Sequence, residues 1–153
     1  MLVVDASVVV AFLIDPSRRD AIRERFREGG DDLHVPGHLD LEVLSALRRL
    51  VLTGRLPADR AHAAAEDLAD LPLVRHPVEA LASAVWALHE NVTAYDAAHV
   101  ALAAALDAPL FTLDTALARA PGLPAVVITL GGTPPADPRG TALAVPHGAA
   151  LTP

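Results

Sequence analysis

The chain contains no cysteine, which excludes disulfides, thiolate metal sites and thiol nucleophiles. It contains no lysine either, and all twelve of its basic residues are arginine. A phosphate-loop lysine, a Schiff-base lysine and the lysine that assists aspartyl-phosphate chemistry are therefore all unavailable. Aromatic residues make up only 3% of the chain, so its packing has to be aliphatic. No apolar run approaches the roughly 18 residues of a membrane span, and no basic segment followed by an apolar one opens the chain. A soluble, cytoplasmic protein is expected.

What is present is a one-domain length of 153 residues, 52% of them apolar, enough to bury a core. The net charge of −7 argues against broad electrostatic binding of nucleic acid, which shows as a basic surface. A role on nucleic acid would need local arginine patches, or cations that offset clustered carboxylates.

Short apolar runs alternate with helical patterns. Strands are expected over Met1–Val4, Leu33–Val35, Leu73–Arg75, Pro109–Thr112 and Val126–Ile128. Between them, helices are predicted over 7–14, 17–28, 37–53, 57–70, 77–89 and 94–106, with a short one reaching Ala120. The 94–106 segment is apolar on nearly every side, which marks a central, buried helix. Strands alternating with helices predict an α/β fold, a parallel sheet of four to five strands covered on both faces. From residue 131 onward Pro, Gly, Ala and Thr dominate without period, which reads as a tail with little structure of its own. The organisation expected is a domain over 1–130 and a tail over 131–153.

Four carboxylates stand out: Asp5, Glu42, Asp96 and Asp114. Singly, each has an ordinary explanation. Asp5 and Asp114 stand between a strand and a helix, where Asp is a favoured N-cap. Asp96 lies three residues after Thr93, the spacing of a capping box. Glu42 reads as one more acid on a helix. Jointly they say more, because parallel strands with right-handed crossovers bring Asp5 and Asp114 to one edge of the sheet. Carboxylates gathered there stay ionised only around cations, and oxygen ligation suits Mg²⁺ or Mn²⁺. Such ions, with open water positions, hydrolyse phosphodiesters.

These fragments carry a resemblance. Val3-Val4-Asp5-Ala6-Ser7, Leu41-Glu42-Val43-Leu44-Ser45-Ala46-Leu47-Arg48-Arg49, Thr93-Ala94-Tyr95-Asp96-Ala97 and Phe111-Thr112-Leu113-Asp114-Thr115-Ala116-Leu117-Ala118 together resemble a PIN-domain ribonuclease of the VapC toxin type, over residues 1–130. The resemblance implies a three-layer α/β/α PIN-like fold and a Mg²⁺- or Mn²⁺-dependent endoribonuclease, the toxin of a toxin–antitoxin pair. By position it places the family's acidic quartet on Asp5, Glu42, Asp96 and Asp114, with Ser7 and Thr112 as polar helpers. In that reading Asp5 and Asp114 hold the principal ion, and Glu42 and Asp96 bind metal directly or through water and help orient the attacking water. The partners implied are an RNA substrate, a cognate antitoxin and a second copy of the chain.

Other residues weigh less. Arg48 and Arg49 follow Glu42 by two turns and are candidate RNA contacts. Arg19, Arg23 and Arg27 share a helix face interleaved with acids, which reads as a solvated face or an RNA-backbone contact. Trp86 reads as a core anchor or a dimer surface. His99, one turn after Asp96, reads as a packed or surface residue and stays outside the expected site. The histidines show no H-x-x-x-H pair, so zinc is not expected. A phosphatase or receiver domain also places acids at strand ends but leans on the missing lysine. A PIN-like module that binds RNA or a partner without cutting is the alternative from another class.

Overall fold

The structure is a computed structural model that describes residues 1–131; the tail expected over 131–153 therefore lies, beyond its first residue, outside the described residues. Five short strands form one sheet: β1 (Leu2–Val4), β2 (Leu33–Pro36), β3 (Leu73–His76), β4 (Leu110–Phe111) and β5 (Val127–Ile128). Their order is β3-β2-β1-β4-β5, and every neighbouring pair is parallel. The helices are α1 (Ala6–Ile14), α2 (Pro16–Glu28), α3 (Leu39–Leu52), α4 (Ala58–Asp70), α5 (Ala82–Ala87), α6 (Ala94–Ala105) and α7 (Thr115–Arg119).

Both faces of the sheet are covered, as the pleat requires of parallel strands as apolar as β1 and β4; the edge strand β3, with Arg75 and His76, is only partly covered. Leu2 and Val4 point into one core with Phe111, Val8, Ile22, Phe26, Val43 and Leu47, beneath α1 to α4. Val3 and Leu110 point the other way, into a core with Val100, Leu102 and Leu117, beneath α6 and α7. The three-layer α/β/α arrangement follows from that alternation. Helix α6 is central, and its residues Ala97 to Val100 and Ala101 to Ala103 are all buried. Helix α1, with three consecutive valines, runs against intrinsic helix preference and is held by burial of Val8 and Val9.

The joints between elements are set by specific residues. Asp15 caps α2, accepting from Ser17 N, with Pro16 in the first turn. Gly29 ends α2 where a Cβ would stand 2.9 Å from Leu2 Cβ, so only glycine lets the chain pass that close to β1. Two expectations need correction. The helix predicted over 77–89 is a 3₁₀ turn (Val78–Leu81) followed by the six-residue α5, a weak apolar pattern that does not sustain a longer helix. Trp86 is 72% exposed and stacks on His89, so it is not a core anchor. The arginine face of α2 is also not simply solvated. Arg19 donates from Nε to Phe12 O at 3.0 Å and from Nη2 to Leu13 O at 2.9 Å, satisfying carbonyls that the end of α1 leaves open.

Candidate active site at the carboxyl edge of the sheet

The sheet places its chemistry beyond the carboxyl ends of β2, β1 and β4, where ligands bind in open parallel sheets. Asp5 follows β1 directly and is 6% exposed. Its Oδ2 accepts from Thr112 Oγ1 at 2.8 Å, from Ser7 N at 3.3 Å and from the Ser7 hydroxyl. Ser7 Oγ in turn accepts from Leu113 N at 3.0 Å, and Thr112 Oγ1 from Asp114 N at 2.9 Å. The two hydroxyls thus tie the end of β1 to the turn after β4. They hold one oxygen of Asp5 in place and keep its burial from leaving an unsatisfied charge.

The other oxygen of Asp5, Oδ1, lies 3.9 Å from His99 Nε2. His99 is fully buried on α6 and donates from Nε2 to Glu42 Oε2 at 2.9 Å. Glu42 stands in the first turn of α3, its side chain 22% exposed, so it borders the core rather than open water. His38, at the N-cap position of α3, brings its Nε2 to 3.1 Å from the same Glu42 oxygen. That approach is off the hydrogen-bond direction and leaves the buried His38 Nε2 without a hydrogen bond. The His38 ring lies edge-on to His99 at 5.4 Å and against Tyr95 at 5.5 Å. Burial holds the His38 pKa below its ordinary value; Glu42 pulls it back up and His99 adds to the lowering.

The remaining acids stand at the same edge with local duties. Asp96 is in the first turn of α6, one turn before His99. It accepts from Thr93 Oγ1 at 2.6 Å while its own N–H donates to that hydroxyl at 3.2 Å. Thr93 is the N-cap, but the carboxylate returns to the hydroxyl and not to the Thr93 N–H, so the expected capping box is only half formed. Asp114 caps α7, Oδ1 accepting from Ala116 N at 2.7 Å and Leu117 N at 3.2 Å. Asp114 thus serves as the N-cap read from the sequence, and its N–H joins it to Asp5 through the Thr112 hydroxyl. Arg48 and Arg49 are exposed on α3. Arg49, seven residues on, shares the face of Glu42, whereas Arg48 lines the groove between α3 and α4 with Leu44, Leu47 and Val51.

The two residues that sequence reasoning left aside are His38 and His99. The spacing that could have found them is His38-x-x-x-Glu42, one helical turn, and Asp96-x-x-His99 on one face of α6; a search for paired histidines passes over both. The hard oxygens of Asp5, Asp96 and Asp114 are of the kind Mg²⁺ or Mn²⁺ takes, but the three do not bring ligand atoms within 4.8 Å of one another. Asp5 fits that use, because the hydroxyls that anchor Oδ2 leave Oδ1 without a hydrogen bond.

Comparison with known proteins agrees with this geometry. The model of the PIN domain matches residues 2–123. Ribonuclease VapC9 of Mycobacterium tuberculosis is 40% identical over 118 residues, 76% of this chain and 88% of that protein. Ribonuclease VapC1 of the same organism is 49% identical over 92 residues, 60% of this chain and 69% of that one. Among solved structures, Mycobacterium tuberculosis VapC20 superposes with a TM-score of 0.61 at 16% identity, covering 80% of this chain and 96% of that one. VapBC2 from Rickettsia felis, crystallised with a DNA fragment from its promoter, gives 0.58 at 10% identity, covering 84% and 97%. On that match and that identity the chain belongs to the PIN-domain family, among the VapC ribonucleases.

Proposed function

We propose that this chain is a metal-dependent endoribonuclease, the toxin of a toxin–antitoxin pair, that hydrolyses RNA phosphodiester bonds at the carboxyl edge of its sheet. The observation that carries the reading is Asp5, a buried carboxylate with one oxygen anchored by Ser7 and Thr112 and the other turned toward the Glu42–His99 pair, on a chain 40% identical to a VapC ribonuclease. Asp5, Asp96 and Asp114 would hold Mg²⁺ or Mn²⁺. Bound there, the ion lowers the pKa of a ligated water and offsets charge on the phosphoryl oxygens. Glu42 accepts a hydrogen bond from the attacking water and takes its proton, with His99 fixing the orientation of the carboxylate. The cation also answers the charge of the chain, since an acidic protein with net charge −7 otherwise repels RNA.

An antitoxin and a second copy of the chain are the protein partners in this reading. What supports them is the apolar side chains left in solvent, Leu41 69%, Leu44 42% and Leu52 67% exposed on α3 and, separately, Trp86 72% exposed on α5.

The experiment is RNA cleavage by the purified chain with Mg²⁺ or Mn²⁺, with and without chelator. Cleavage should appear with the metal and vanish with chelator. Asp5→Asn should lower it by about 100-fold or more, the scale at which one lost charge stabiliser shows, with the circular dichroism spectrum unchanged. RNA binding without cleavage under any divalent ion would refute the enzyme, and full activity in Asp5→Asn would remove Asp5 from the mechanism.

A further inference from the structure

His38, Glu42 and His99 make a second kind of metal centre at the edge of the same site. One ligand atom from each of His38, Glu42 and His99 lies within 4.8 Å of the other two, the one such trio of metal-ligating side chains found among the described residues. We propose that this trio binds a transition-metal dication of the zinc class, with imidazole ligation that sets it apart from the carboxylate site for Mg²⁺.

Three observations carry the proposal. The first is spacing. Ligand atoms around a tetrahedral zinc stand roughly 3.3–3.5 Å apart, given metal–ligand bonds of about 2.0–2.2 Å. Glu42 Oε2 already stands 2.9 Å from His99 Nε2 and 3.1 Å from His38 Nε2, so a few tenths of an ångström of opening admits the ion.

The second is the hydrogen bonding left incomplete without an ion. Two imidazole nitrogens converge on a single carboxylate oxygen, and one of them, the buried Nε2 of His38, makes no hydrogen bond. A dication takes a lone pair from each nitrogen and from the carboxylate, and the competition disappears. His99 Nδ1 has no partner in the structure and gains none either way, so the balance is decided at the Nε2 atoms.

The third is preorganisation close to the surface. His99 is fixed by full burial on α6, and His38 and Glu42 sit one turn apart at the start of α3. The side chains of His38 and Glu42 remain 16% and 22% exposed, so the trio lies just under the surface although His38 Nε2 itself is buried. Asp5 Oδ1, 3.9 Å from His99 Nε2, stands near enough to bear on a fourth position.

Nitrogen ligands favour zinc, cobalt, nickel and copper over magnesium, which keeps oxygen ligands and water. A consequence that rests on the ribonuclease reading is that zinc at this trio occupies Glu42, so the two metals oppose each other: Mg²⁺ supports cleavage and Zn²⁺ inhibits it.

Titration calorimetry of Zn²⁺ into the tag-free full chain, in excess Mg²⁺, tests the site directly. One Zn²⁺ per chain is expected, and Co²⁺ in its place should give the visible absorption of a low-coordinate nitrogen–oxygen site. His38→Asn and His99→Gln should each weaken zinc by about 100-fold or more, since loss of an outer partner alone costs about 10–100-fold. Thermal melting checks that the buried His99→Gln variant is folded; His38→Asn, at a side chain only partly buried, keeps the test decisive if it is not. His76→Asn, at the separate pair where His34 Nδ1 and His76 Nε2 stand 2.8 Å apart between β2 and β3, should leave zinc binding unchanged. Zinc binding unaltered in His38→Asn, or abolished by His76→Asn, would overturn the site. Mg²⁺-dependent cleavage by a chain that takes up no zinc would also overturn it, leaving the ribonuclease reading intact. Zinc bound through His38 and His99 by a chain that never cleaves RNA would support the site and refute the nuclease.

Discussion

Thr112 shows how much a single hydroxyl can organise. It is fully buried, donates to Asp5 and accepts from Asp114 N, so it joins two of the four acids through one oxygen. Thr112→Val keeps the shape and removes both bonds. It should lower stability by about 1–3 kcal/mol, the cost of leaving buried polar groups unpaired, read from urea unfolding. RNA cleavage should fall with it, and Thr112→Ser should restore most of both. At the same scale, the His38 imidazole should titrate below its ordinary 6.5 when followed by NMR on metal-free protein. The sign follows from linkage. The unfolded chain binds this proton more readily than the folded one, so the contribution of His38 to stability is complete above pH 6.5 and is lost as the pH falls through the folded value. Asp5, Glu42, Asp96 and Asp114 were each legible as residues worth attention, because strand ends and caps are local patterns. His99 was not, since its partner Glu42 is 57 residues away and nothing near it in the chain announces the contact.

Among the elements, α6 has the most to do. Its N-cap, Thr93, satisfies the first turn and also grips the Asp96 carboxylate, while its buried middle carries His99 to Glu42. Thr93→Ala should cost about 1 kcal/mol of stability as a lost cap, measured by thermal or urea unfolding. It should also lower cleavage, because Asp96 loses the hydroxyl that orients it; Thr93→Ser should keep both. The helix was readable from its apolar, alanine-rich run. The 77–89 segment was not, and it breaks into a 3₁₀ turn and a short helix. The arginines of α2 show the same limit. Their spacing gave one face, but Arg19 turns to the carbonyls that end α1, a use visible only once α1 and α2 pack together.

For the whole molecule, two cores on opposite faces of one sheet keep the site in register. Leu2 and Val4 belong to one core and Val3 to the other, so the strand that delivers Asp5 is gripped from both sides. All five strands and seven helices of the described residues lie before residue 129, and the PIN-domain match ends at residue 123. We therefore expect a chain ending at Gly131 to keep its circular dichroism spectrum, its melting temperature within a few degrees, and its cleavage of RNA. A collapse of the melting transition in that variant would place part of the core beyond residue 131. The sequence by itself determined the alternation of strand and helix, the three-layer class and the acids at strand ends, because periods of two and 3.6 residues and caps are written in neighbouring positions. Only the tertiary structure decided the strand order, the hydroxyl link from Ser7 to Thr112, and the meeting of His38, Glu42 and His99. Those contacts join residues far apart in the chain, and their existence depends on how packed layers bring separate elements together.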